Sequence, residues 1–203
     1  KTILDINQIM RLLPHRHPRV FEVCVLERGT QTYFVGPTRY DLVGGDVFLT
    51  KPGETHGTGD EPEHKGQLYW VQFREAGPGR SFLGLTPAES RELMRRFARL
   101  RSRQFRDGHT LTPAFERIFR AHAAAPDGLR AANIRNLLLR LVVDILTLAE
   151  HQGRHSYSGG VMRSIHEIEN HPGDPLSVSQ LARIAEMSAS HFKAMFKRET
   201  GLP

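Results

Sequence analysis

The chain has 203 residues, 39% hydrophobic and 25% charged, with a formal charge of +6. No apolar run approaches the roughly 18 to 20 residues that a membrane-spanning helix needs. The one cysteine, Cys24, excludes an internal disulfide framework and lies in an apolar run, where a thiol behaves as a small buried hydrophobe. The basic balance suits a polyanionic partner, and basic residues crowd residues 91–106 and 193–198. No basic-then-apolar leader opens the chain, so the cytoplasm is the expected compartment. Lys1 in place of an initiator Met reads as a start inside a longer parent.

Residues 3–13 form a short amphipathic stretch ending in Pro14-His15-Arg16-His17-Pro18. Residues 20–26, 32–35, 39–43, 46–50 and 67–73 are strand-length and rich in Val, Phe, Tyr and Leu. Arg28-Gly29-Thr30, Gly36-Pro37, Gly44-Gly45-Asp46 and Pro52-Gly53-Glu54 supply the expected turns between them. Strands this short and closely spaced predict an antiparallel barrel or sandwich.

After Ala76-Gly77-Pro78-Gly79 the hydrophobic period changes from two to 3.6. Thr86-Pro87-Ala88-Glu89 has a hydroxyl cap, an N1 proline and an acid in the first turn, and Leu93, Met94, Phe97 and Leu100 follow on one face. Thr112-Pro113 predicts a second helix start by the same device, with Phe115, Ile118 and Phe119 inward. A third helix over residues 129–151 spaces Ile134, Leu138, Leu141, Ile145 and Leu148 by fours and threes, the seam of a homodimer. Leu137 and Val142 broaden that stripe, which equally suits packing on the helix's own domain.

Residues 152–160 read as a linker, followed by a Val161, Ile165, Ile168 face that ends at Pro172-Gly173-Asp174-Pro175. Ser177-Val178-Ser179-Gln180 is a capping box leading into the face Val178, Leu181, Ala182, Ala185. Met187-Ser188-Ala189 turns the chain into a second short helix with Phe192, Met195 and Phe196 inward. The pattern alone allows a structural corner as well as a DNA-reading helix-turn-helix. The expected fold class is α+β: residues 1–84 a barrel with an N-terminal arm, 85–152 a helical linker and dimerisation region, 161–203 a partial helical domain.

Leu181-Ala182, Met187-Ser188, Phe192, Phe196-Lys197 and Thr200-Gly201 closely resemble the first helix-turn-helix of AraC-family transcription regulators. Glu27-Arg28-Gly29, residues 40–49 and Lys51-Pro52-Gly53-Glu54-Thr55-His56 resemble the cupin-like sensory barrel of the same family. The resemblance implies a regulator of double-stranded operator DNA with a small-molecule effector, a sugar or similar metabolite, and no catalysis. By position it implies DNA contacts from Ser190, His191, Lys193, Ala194, Lys197 and Arg198. Family members continue into a second helix-turn-helix, so the DNA reader here is expected to be half present.

In sugar-responsive members a tryptophan stacks on the ligand, and Trp70 falls at that position. Arg28 matches a hydroxyl-binding arginine, Thr58 stands where a tyrosine lines the pocket, and His56 is expected in the pocket wall. The N-terminal arm is a lid over the ligand in some members. A helix docked on the barrel is the other reading here. Among eleven histidines, His15, His17, His56 and His64 are the ones a barrel could gather. Enzymatic cupins place an H-x-H pair, a glutamate and a later histidine on barrel strands. Here no pair follows His56, and His15-Arg16-His17 lies in the arm, so no metal or other cofactor is expected. The competing reading is a metal-dependent cupin enzyme, an isomerase or dioxygenase, with a helical tail. A ligand-free dimerisation module is the third, and a barrel filled by side chains would favour it.

Overall fold

The computed structural model describes residues 2–4, 11–60, 66–77, 79–151, 158–171 and 175–200. His64 and most of the expected linker lie outside them. Among the described residues seven strands form one curled antiparallel sheet: β1 (Thr2–Leu4), β2 (Val20–Val35), β3 (Thr38–Val43), β4 (Asp46–Thr50), β5 (His56–Gly57), β6 (Gly66–Arg74) and β7 (Gln104–Arg106). Their order is β1-β6-β2-β4-β7, with β3 and β5 also paired to β2. Among the described residues no helix is long and apolar enough to cross a membrane.

The central strand corrects one expectation. Arg28-Gly29-Thr30 is not a turn but a bend within β2, where the register against β6 shifts between Leu26 and Arg28. Gly29 takes a φ of 95°, a left-handed conformation that glycine accepts without a Cβ penalty. Before the bend β2 pairs with β4 and β6; after it, with β3 and β5. One long strand thus serves both halves of the curl.

Strands β1, β5 and β7 were not expected, because two or three residues are too few to show a period. Strand β7 pairs with β4 although it comes from the segment read as helical. The N-terminal arm is likewise not a helix where it is described. Thr2–Leu4 is strand, and Leu12 runs beside Thr58, whose N–H donates to the Leu12 carbonyl at 3.0 Å.

The described residues also form six helices: α1 (Pro87–Arg99), α2 (Thr112–Ala123), α3 (Arg130–His151), α4 (Gly159–Asn170), α5 (Val178–Ile184) and α6 (Ala189–Thr200). The α1 capping box forms as expected, with Thr86 and Glu89 exchanging hydrogen bonds. Helix α2 starts differently. Its N-cap is Leu111, without a side-chain cap, and the Leu111 N–H instead donates to the Asp107 carboxylate at 2.9 Å.

The main core lies between one face of the sheet and helices α1 to α3. Phe21, Val23, Val25, Val47, Leu49, Tyr69 and Phe73 meet Leu93, Met94, Phe97, Leu141, Val142, Ile145 and Leu146. Burying a side chain such as Phe97 stabilises the fold by roughly 1.5–3 kcal/mol. Part of the α3 seam packs within this core. Leu141 and Ile145 are buried in their own core, and Leu148 packs against it, while Ile134 and Leu138 stay half-buried. Phe119, expected inward on α2, is partly exposed at 36%.

A separate core joins α4, α5 and α6 through Val161, Leu181, Ala182, Ala185, Phe192 and Phe196. Gly159 and Gly160, expected in a linker, open α4. A Cβ on Gly160 would stand 2.5 Å from the Ala185 carbonyl oxygen, so glycine there permits the close approach of α4 to the turn after α5. The buried Ser164 hydroxyl adds a bond to the Leu181 carbonyl at 3.0 Å. The expected α5 capping box of Ser177 and Gln180 is present, although Val178 lies exposed.

Candidate functional site

Side chains of a strand alternate between faces, so the register of β2 and β6 sorts the candidates. Tyr69, Val71 and Phe73 turn toward the helices. Leu68, Trp70 and Gln72 turn away, opposite Leu26, Cys24 and Glu22 respectively. One end of that inner face is filled by Cys24, Leu26, Tyr33, Leu42, Phe48 and Leu68, with the Tyr33 and Phe48 rings stacked 5.0 Å apart. The other end carries Glu22, Gln72, Trp70 and a group of imidazoles.

That group is assembled by backbone pairing. His15 and His56 form an antiparallel bridge, each N–H donating to the other's carbonyl at 3.0 and 2.9 Å. Their rings then lie 4.3 Å apart, with the His17 ring 5.1 Å from His15 and 5.8 Å from His56. Glu22 reaches in from β2, with one carboxylate oxygen 3.6 Å from His56 Nε2 and the other 3.7 Å from His17 Nε2. Gln72 donates to Glu22 from the neighbouring strand.

His15, His17, Glu22 and His56 together offer four ligand atoms within 4.8 Å of one another. The sequence marks His15, His17 and His56 as histidines a barrel could gather, but it points to no metal because His15-Arg16-His17 lies in the arm, and it does not single out Glu22 as their partner. The available signal was the His-x-His pair followed five residues later by a glutamate on the strand.

Burial pushes the His56 imidazole down, but Glu22 and the Glu54 carbonyl more than offset it and hold its pKa above the ordinary histidine value. For Glu22, burial pushes up, while His56, Gln72 and His17 outweigh it and hold the carboxyl below its usual value. An acid–base pair of this kind is a site where protons or cations compete for the same lone pairs.

Of the four residues expected to line the pocket, two lie on this inner face. His56 is a member of the cluster. Trp70 lies diagonal to Glu22 across the strand pair, a spacing of roughly 7–8 Å, with 49% of its surface exposed. Thr58 is fully buried and its hydroxyl accepts the Leu12 N–H at 3.0 Å, so it anchors the arm. Arg28 is exposed and joins another network. Its guanidinium donates to Gln67 at 2.8 Å, Gln67 to Tyr69 at 2.9 Å and Tyr69 to Glu116 of α2 at 2.5 Å, on the helix side of the sheet. The bend at Gly29 accounts for this, because a one-residue shift sends a side chain to the opposite face.

A groove of about 960 Å³ lies elsewhere, between α1, the segment before β7 and the end of α3. Five arginines line it, but Arg95, Arg96 and Arg103 are paired with Glu92, Glu150 and Glu54. Those pairings neutralise much of what would attract an anion.

On α6, Phe192, Phe196 and Thr200 face inward, and Ser190, His191, Lys193, Ala194, Lys197 and Arg198 are all exposed. The turn before α6 is held by the Ser188 hydroxyl, which accepts the His191 N–H at 3.3 Å. The helix therefore presents one continuous polar and basic face.

The crystal structure of the AraC-like transcriptional activator CuxR is similar at 10% sequence identity and a TM-score of 0.42, over 88% of this chain. The chain spans 61% of that protein's length. No curated protein matches significantly. The profile of the AraC-like ligand binding domain matches residues 11–142, which takes in the His15–His17 arm, strands β2 to β7, α1, α2 and the first part of α3. A match over well more than half of the sequence places this chain in the AraC-like ligand-binding domain family.

Proposed function

We propose that the chain is the effector-sensing part of a cytoplasmic, DNA-binding transcription regulator that binds a small molecule without transforming it. The observation that carries this reading is the combination, in one chain, of an AraC-like ligand-binding domain with a three-helix unit exposing a basic face on α6. Sensing is assigned to residues 1–84, the helical connection to 85–152 and DNA contact to 161–203. Ser190, Lys193 and Ala194 are the proposed base readers; His191, Lys197 and Arg198 are the proposed phosphate contacts.

The effector is a sugar or a similar polar metabolite resting on Trp70. The half-exposed indole gives an apolar face, and Glu22 and Gln72 beside it give a hydrogen-bonding rim. His56 and the arm close the site from the other side, with Thr58 fixing the arm. Arg28, turned to the helix side, acts through the Gln67–Tyr69–Glu116 chain rather than by touching the effector. Self-association runs through the amino-terminal half of α3, where Ile134 and Leu138 are only half-buried and Leu129 just before the helix is exposed. Effector binding favours one arrangement of this assembly by differential affinity.

A second reading, a metal-dependent cupin enzyme, is favoured by the convergence of three imidazoles and a carboxylate. A thermal-shift screen of sugars and polar metabolites, followed by recovery of the bound compound, separates the two. Sensing predicts a compound that stabilises the wild type, fails to stabilise Trp70→Ala and is recovered unchanged. Recovery of a chemically altered compound, or a shift that survives Trp70→Ala, overturns the proposal.

A further inference from the structure

We infer that His15, His17, Glu22 and His56 form a binding site for one divalent transition-metal ion of the zinc, cobalt or nickel type. The inference deepens the sensing proposal by naming a ligand class at the same inner face, but it rests on the geometry of these four residues.

The four ligand atoms already stand within 4.8 Å of one another. A tetrahedral ion with bonds of about 2.0–2.1 Å holds its ligands about 3.4 Å apart, so closure needs only small side-chain rotations. His56 carries the strongest independent sign. It is 97% buried, and among the described residues its Nε2 has no hydrogen-bond partner. The Glu22 oxygen at 3.6 Å is too far to supply one. A buried nitrogen left without a partner costs about 1–3 kcal/mol, and a metal ion would use that lone pair.

The surroundings orient the ligands as metal sites require. His56 Nδ1 is 3.0 Å from the Glu54 carbonyl and His15 Nδ1 is 2.9 Å from the Leu13 carbonyl. A proton on each Nδ1 donates to those carbonyls and leaves Nε2 as the ligand atom. Gln72 holds Glu22 from outside the cluster. Three imidazoles and one carboxylate suit borderline ions and are a poor match for calcium or magnesium, which take oxygen.

The test uses the full 203-residue chain after chelator treatment, titrated calorimetrically with zinc, cobalt and nickel salts. Trp70, the only tryptophan, supplies a second readout, because cobalt or nickel bound next to it quenches its fluorescence. Binding at one ion per chain is expected, with quenching, and with no response to magnesium. His56→Ala and His17→Ala should each weaken it at least about tenfold. His17 is partly exposed on the arm, so that variant keeps the test valid if His56→Ala fails to fold. Absence of binding overturns the inference, as does binding that survives both substitutions or leaves Trp70 unquenched. Effector binding on Trp70 is measured separately by metabolite titration, so failure of the metal site and failure of the sensing proposal give different results.

Discussion

Asp46 offers a pH experiment whose sign and size follow from its surroundings. Its carboxylate is fully buried at the start of β4, where it accepts the Val43 N–H at 3.0 Å and a Gln104 side-chain N–H at 3.1 Å, closing the β3–β4 turn. Burial pushes its pKa up from the ordinary 3.8 to about 6, more than the Val43 bond, Arg106 and Gln104 pull it down, and nearby Asp107 adds to the rise. A carboxyl whose pKa is higher folded than unfolded binds its proton more tightly in the folded chain. Its contribution to stability is therefore greatest below about pH 4, falls as the pH rises to about 6, and is flat above.

A rise from 3.8 to about 6 corresponds to about 3 kcal/mol across that window. Urea denaturation of the wild type and Asp46→Asn at several pH values isolates this term, since asparagine keeps an acceptor for Val43 but carries no charge. The variant should gain on the wild type by up to about 3 kcal/mol between pH 4 and 7. Parallel stability curves would refute the reasoning. So would a wild type that gains on the variant as the pH rises, because Asp46 would then be held ionised by Arg106.

Two further outcomes follow from the helical unit. Gly160→Ala would ordinarily stabilise a helix by up to about 1 kcal/mol. Here the new methyl meets the Ala185 carbonyl, so we expect a net loss of about 1–2 kcal/mol in the unfolding of α4 to α6; a neutral or stabilising result by thermal melts contradicts the close packing. Replacing Lys193 and Lys197 with alanine should lower the salt dependence of duplex DNA binding by about one to two in slope. Fluorescence anisotropy at several salt concentrations reads this directly, and an unchanged slope removes α6 from the interface.

Much of the scaffold was legible because its signals are local. Thr86-Glu89 and Ser177-Gln180 each form a capping box within four residues, and the glycines of the turns at 36, 45 and 53 all adopt positive φ. The α6 face could likewise be read from Phe192 and Phe196 alone. What escaped depends on contacts between distant segments. Strand β7 exists because β4 offers it an edge, and the bend at Gly29 looked like a turn because only pairing with β6 distinguishes the two. The seam of α3 was ambiguous until Leu141 and Ile145 were seen under the sheet.

The site follows the same division. His56 and Trp70 stood out individually, one in a Pro-Gly-Glu-x-His phrase and one as the only tryptophan. Their relation to His15, His17 and Glu22 depends on the bridge between His15 and His56, which no local pattern announces. Arg28 was misplaced for the related reason that a bulge reverses the side on which a residue emerges.

The central claim is that an effector binds on the inner face of the sheet at Trp70. The single indole N–H gives one resolved signal in a nitrogen–proton NMR spectrum, which can be followed while sugars and polar metabolites are titrated into the labelled chain. The account predicts that a compound that binds shifts this signal together with the amides of Glu22, Cys24 and Gln72. It is contradicted if no compound moves the indole, or if those that bind perturb instead the arginine-lined groove between α1 and α3.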